Sequence, residues 1–459
     1  MKNNIYKFVF FLLISSTMMA NVALPNIFGD NMVLQRNAEV KIWGWANPQE
    51  EIRLVADWSN IEYKVKANNL AQWELKIKTP EAGGPYVISI KGYNEIRLKN
   101  ILIGEVWICS GQSNMEMSSS WGIDNGEEET KNAANPNIRF FNVPKLTATT
   151  QQNNLLGNWT ESTPETMKYF SAVGYFFAKR LREELKNVPI GLISSNWGGT
   201  PAEVWIPEEV VQNDPVLLEN ARKLNEQDYG PRQPGRAYNA MIYPFVGYKI
   251  AGTIWYQGES NVGSLVYDKT LSALITSWRK AWSDDFPFYY AQIAPFKTGS
   301  NNFHNVIIRN SQRKLLKEVS NTGMIVTSDI SDVKEIHPKD KKTVGVRLAN
   351  LALENTYKIT VGLVNGPLFK SFKIDKEIVT LSFDYADGLY FKNKLSNQFE
   401  VAGADGIFYT AEALIRNDQV VVSSKKVKNP VKVRFAWGNT IQSDLFNEVN
   451  LPASCFNTE

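Results

Sequence analysis

Five short apolar runs, each followed by a cluster of polar residues, alternate with helical patterns through the middle of this chain. The runs cover residues 101–109, 190–195, 250–256, 288–293 and 324–327. Runs this short and this uniformly apolar read as strands buried on both faces, since a half-solvated strand would alternate. Between them, Val173, Phe177, Leu181 and Leu185 share one helical face. Leu271, Leu274, Ile275, Trp278 and Trp282 share another, close to i, i+3, i+4, i+7 and i+11. A third helix is predicted over 305–319 and a last one over 339–353. Strand and helix in alternation predict an α/β domain with a mostly parallel sheet.

The flanks follow a different period. Val40-Lys41-Ile42-Trp43-Gly44-Trp45, Ile52-Arg53-Leu54-Val55 and Trp73-Glu74-Leu75-Lys76-Ile77 place apolar residues at period two, with turn signals at Asn68-Asn69, Gly83-Gly84-Pro85 and Tyr93-Asn94. That pattern predicts a β-sandwich-like domain over 21–100. Short strands return over 377–381, 420–423 and 431–435, with turns at Asp387-Gly388 and Asp405-Gly406. A second β-domain is therefore expected over 358–459, leaving 101–357 as the α/β domain.

Residues 1–20 carry Lys2 and Lys7, an apolar stretch over 8–13 and small residues up to Ala20, the pattern of a cleavable secretory signal. The stretch is too short to span a bilayer comfortably, so the expectation is an exported protein, secreted or periplasmic, without a membrane attachment after cleavage. The net charge of +3 is spread without a basic block, which gives no support to a nucleic-acid partner. Cys109 and Cys455 are too few for a disulfide framework, and Cys109 lies inside an apolar run.

Ligands of open α/β sheets bind beyond the carboxyl ends of the strands. Those ends here read Cys109-Ser110-Gly111-Gln112-Ser113-Asn114-Met115, Asn196-Trp197-Gly198-Gly199-Thr200, Trp255-Tyr256-Gln257-Gly258-Glu259-Ser260-Asn261 and, past the fifth strand, 329–338. A serine hydroxyl is a poor nucleophile until a base takes its proton. The chain holds two histidines, His304 and His337. His304 opens a predicted helix, where a capping role fits. His337 follows a strand end with Glu335, Asp332 and Asp329 beside it, able to orient the imidazole.

Acyl transfer also needs donors aimed at the developing oxyanion. Candidates are the Ser113 amide, the amides of Gly198 or Gly199, and a side-chain amide from Gln257 or Asn261. Gln112, Asn114, Glu259 and Trp205 are candidates for substrate contact, and Trp121, Trp197, Trp205 and Trp255 for a flat apolar face beside it. The segment around Ser113 lacks the second glycine of G-x-S-x-G, and no nucleotide or HExxH motif is present. Two histidines and two distant cysteines exclude a His-rich zinc site.

These segments resemble the sialate O-acetylesterase family, a branch of the SGNH hydrolases. The likeness runs through the Ser113 block, through Asn196 to Trp205, through Ile254 to Asn261, and through Ile336-His337-Pro338-Lys339, with flanking agreement at 31–36 and 433–439. It implies a three-layer α/β/α SGNH domain with β-domains on either side. It implies Ser113 as nucleophile, His337 as base, and oxyanion donors from Ser113, Gly198 or Gly199, and Gln257. No metal or organic cofactor is implied, and the substrate would be an O-acetylated sugar. The chain departs from the family at the acid: many SGNH enzymes carry it three residues before the histidine, where this chain has Lys334. Glu335 is the expected acid, with Asp332 next. An acetylxylan or other polysaccharide esterase is the alternative within the class. A non-catalytic glycan-binding protein is the alternative outside it.

Overall fold

The computed structural model describes residues 21–224, 227–297 and 302–458. The signal-peptide expectation over 1–20 lies outside them. The central sheet holds seven strands: β1 (Glu95–Gly111), β2 (Asn135–Asn142), β3 (Trp159–Ser162), β4 (Ile190–Asn196), β5 (Gly252–Tyr256), β6 (Phe288–Ala291) and β7 (Thr322–Ile325). Their order is β7-β6-β5-β1-β4-β2-β3. All neighbours are parallel except the edge pair β2–β3.

Four helices cover the two faces: α1 (Ala172–Leu185), α2 (Tyr267–Trp282), α3 (His304–Glu318) and α4 (Lys341–Asn355). The two-sided burial of the strands sorts their side chains. On β1, Val106 and Ile108 join the core under α2 and α3, while Trp107 and Cys109 join the core under α1 and α4. The result is the three-layer α/β/α arrangement that the alternating runs require. The strand pair β2–β3 was not foreseen. Asn135-Pro136-Asn137 opens β2 with turn-forming residues, and its pairing with β4 begins only at Ile138.

β1 is the spine of the molecule. Its 17 residues run from the N-terminal sheet, where it pairs with Gly83–Lys91, into the central sheet, where it pairs with β4 and β5. The expected boundary at residue 100 thus falls inside one continuous strand. Facing that N-terminal sheet, Glu39–Trp45 pairs with Gln72–Lys78. Ile42, Ile52, Leu54, Ile77, Ile88 and Ile90 are buried between the two layers.

The C-terminal region forms two four-stranded sheets around Val379, Leu381, Val401, Val422 and Phe435. It docks on α3. Val306 joins its core, and the buried Arg309 guanidinium donates to the Gly438 and Ile441 carbonyls. Gln442 also donates to the Ser331 carbonyl, in the loop between β7 and α4.

Candidate active site

Gly111 ends β1 between the ends of β4 and β5, in register with Asn196 on one side and Tyr256 on the other. Its φ is +137°, and a Cβ there would stand 2.2 Å from the Tyr256 carbonyl oxygen. Only glycine lets the chain turn so tightly against its neighbour. Ser113 then opens the single turn Ser113–Glu116, its N–H ahead of any intrahelical acceptor. Gln112 ties this turn to the next block, its Oε1 accepting from the Ser260 N–H at 3.1 Å and the Gly258 N–H at 3.4 Å.

His337 comes from the far edge of the sheet on the long loop after β7. The loop is pinned along its length. Arg347 grips Asp329 through two bonds of 2.8 and 2.6 Å, Lys297 donates its N–H to the Val333 carbonyl, and Gln442 holds Ser331. At its end, His337 Nε2 lies 2.8 Å from Ser113 Oγ. Glu335 is the acid beside the ring. Its Oε1 accepts from the His337 N–H at 3.1 Å and stands 3.5 Å from Nδ1, within ion-pair range but long for a hydrogen bond. Asp332 does not reach the imidazole in this geometry. It folds its own turn, accepting from the Lys334 and Glu335 N–H groups.

Burial lowers the pKa of His337, the positive charge of Lys341 lowers it further, and Glu335 opposes both. The net effect favours the neutral ring, the form that can accept a proton.

The structure moves several expected contact residues inward. Asn114 is fully buried and acts as a junction. Its Nδ2 donates to Glu259 Oε1 at 2.5 Å and to the Ile336 carbonyl at 3.1 Å, and its Oδ1 accepts from Lys341 Nζ at 2.6 Å. Burial pushes the Glu259 carboxyl up to about 7 and pulls the Lys341 ammonium down to about 7, each partly restrained by the other's charge. Gln112, Asn114 and Glu259 therefore hold the Ser113 turn and the His337 loop together; all three are buried. Trp205 is also buried, with its Nε1 donating to Thr200 Oγ1. It belongs to the core, as does Trp255.

The side-chain amides expected at the oxyanion are occupied as well. Gln257 Nε2 donates to the Thr200 carbonyl and to Asn261 Oδ1, so both its protons are in use. Asn261 Nδ2 donates to both oxygens of Glu203. These residues brace the strand ends from behind. Gly198 does stand beside the serine, where a Cβ would lie 3.3 Å from the Ser113 Cβ. Its N–H donates to Glu116 Oε2 at 2.6 Å, and Glu116 Oε1 pairs with Lys145 at 2.5 Å. Gly199, at φ +75°, is packed so closely on the Tyr229 ring that a Cβ would collide at 2.2 Å.

Lys341 and Glu203 were not anticipated. Both signals were present. Lys341 precedes Val344, Gly345 and Leu348 at i+3, i+4 and i+7, the buried face of α4. Glu203 interrupts the apolar stretch Ala202–Trp205 and is fully buried. Trp121 is the open tryptophan at the site, 46% exposed and edge-on to the His337 ring at 6.2 Å. Among the described residues no cluster of His, Cys, Asp and Glu could hold a metal ion.

Residues 103–354, over half of the chain, match the family model described as carbohydrate esterase, sialic acid-specific acetylesterase. The chain belongs to this family and is a carboxylic ester hydrolase. It is similar to a carbohydrate acetylesterase of Xanthomonas citri, with 34% identity, a TM-score of 0.86, and coverage of 95% of this chain and 99% of that one. It is also similar to the sialate O-acetylesterases of Homo sapiens, 28% identical over 413 residues, and Mus musculus, 26% identical over 434. The first alignment covers 81% of this chain and 78% of the human protein, the second 81% and 80% of the mouse one.

Proposed function

We propose that this protein removes O-acetyl groups from sugars through an acetyl-enzyme on Ser113. The observation that carries the reading is the 2.8 Å contact between Ser113 Oγ and His337 Nε2, with Glu335 behind the ring. His337 takes the Ser113 proton as Oγ attacks the acetyl carbonyl. On this reading the Ser113 and Gly198 amides serve the oxyanion, the Gly198 N–H being released by Glu116 when substrate binds. His337 then protonates the departing sugar oxygen, and water activated by the same base releases acetate. The pattern over residues 1–20 supports an exported location, secreted or periplasmic.

Sialate is the substrate named for the human and mouse relatives, and an acetylated polysaccharide is the second reading. A sialate carboxylate calls for a cation, and Arg309 and Arg434 are engaged elsewhere. Arg309 is buried against the C-terminal domain, and Arg434 pairs with Glu400 at 2.7 Å. A panel of O-acetylated sialic acids and O-acetylated xylans, scored by acetate released, tests the reading. Acetate from none of them, with the Ser113→Ala variant used as blank, would overturn it.

A further inference from the structure

A cavity of about 480 Å³ opens where the N-terminal domain meets the α/β domain, remote in sequence from Ser113 and His337. Its floor is the outward face of the antiparallel pair Glu39–Trp45 and Gln72–Lys78. Trp43 and Trp45 stand two residues apart on that face, so both rings point the same way, and both are half-buried. Gln152, Asn153, Tyr243 and Pro244 close the other side. Gln72, Asn153 and Lys66 make no side-chain hydrogen bond to the described protein. Phe28 braces the Trp43 ring edge-on at 4.6 Å and Lys41 Nζ lies 5.2 Å from its centroid. The Trp45 ring beside this braced pair and the unengaged amides suits a pyranose, which offers C–H faces to rings and hydroxyls to amides.

The loop over 143–158 joins this cavity to the serine. At its root Lys145 pairs with Glu116, the residue that holds Gly198 beside Ser113. Trp197, Thr147, Ala148 and Thr149 line one hollow of about 470 Å³. Thr147, Ala148, Thr149 and Gln152 line the next, of about 510 Å³, with Leu146 and Leu156 exposed there. Gln152 then reaches the tryptophan cavity. Successive hollows share lining residues from Trp197 to Trp45.

We propose that Trp43 and Trp45 form a distal saccharide subsite for the glycan chain that carries the acetyl group. The chain follows loop 143–158 from the serine to the N-terminal domain. This rests on the carbohydrate esterase reading of the Ser113 site and extends it from a single sugar to an oligosaccharide.

The test compares the same acetylated sugar alone and within a chain: acetylated xylose against acetylated xylohexaose, and O-acetylated N-acetylneuraminate against an O-acetylated sialyl-oligosaccharide. In at least one pair kcat/KM should rise tenfold or more with chain length. That gain should fall to near one in the Trp43→Ala/Trp45→Ala double variant. It should also fall in Asn153→Trp, which fills the cavity from an exposed loop position and keeps the test open should the double variant not fold. A flat length dependence in both pairs, or a gain retained in both variants, would overturn the subsite. Hydrolysis of p-nitrophenyl acetate with no acetylated sugar of any length cleaved would instead remove the carbohydrate reading of Ser113. The subsite would then stand or fall on calorimetric binding of xylohexaose, present in the wild type and lost in Asn153→Trp, or absent from both.

Discussion

Ser113 and His337 lie 224 residues apart in the chain and 2.8 Å apart in space. On the proposed mechanism, Ser113→Ala and His337→Ala should each lower kcat at least about a thousandfold, since a nucleophile and its base would act as a unit, while thermal unfolding stays within a few degrees of wild type. Glu335 is a weaker partner. At 3.5 Å from Nδ1 and half exposed, it should cost only about tenfold on change to glutamine, and Asp332→Asn should cost less still. The histidine must be neutral to act, so kcat/KM should rise as pH rises through its pKa and then level. Burial and Lys341 lower that pKa, moving the acid limb to lower pH than for a free histidine. In Lys341→Met the lowering charge is gone, so the limb should move to higher pH. A pH profile of kcat/KM that stays in place would show that Lys341 does not act on the base.

At the level of elements, the site depends on how β1 ends and how the histidine loop is tied to it. Gly111→Ala should destabilise the protein by about 3 kcal/mol or more in urea unfolding, since a side chain at φ +137° would strike the Tyr256 carbonyl. Asn114→Ala would leave Glu259 and Lys341 buried without the amide between them, and Glu259 Oε2 already lacks a partner. A loss of about 3 kcal/mol is expected, with kcat reduced because the Ile336 carbonyl is released beside His337. The helices show what sequence could and could not supply here. Periodicity predicted a helix over 339–353 and the structure has Lys341–Asn355. The spacing from Lys341 to Val344, Gly345 and Leu348 went unread, and only the meeting with Asn114 and Glu259 gives that lysine a purpose.

In the whole molecule, the strands of the central sheet feed the two cores on its faces, and α3 joins the C-terminal core to them. β1 carries the N-terminal sheet directly into the Ser113 turn. α3 is packed by the C-terminal domain, which also holds the histidine loop through Gln442 and Ser331. Arg309→Met removes the charged donor to Gly438 and Ile441 across that junction. Its thermal unfolding should broaden or split in calorimetry and begin several degrees lower, while a single unshifted transition would show the junction to be unimportant.

The alternating runs by themselves determined the α/β domain, its helices and the strand ends worth searching, because burial on both faces leaves a local signature in each strand. Two histidines sufficed to single out His337 as the base to test. Which polar side chains face outward at those ends was decided by tertiary structure alone. Gln257, Asn261 and Asn114 look like ligand-binding residues in the sequence, and in the fold each has partners in segments between 57 and 227 residues away. A polar residue beside a turn looks the same in sequence whether it binds a ligand or satisfies a buried neighbour. The distinction lies in what the other strands bring against it.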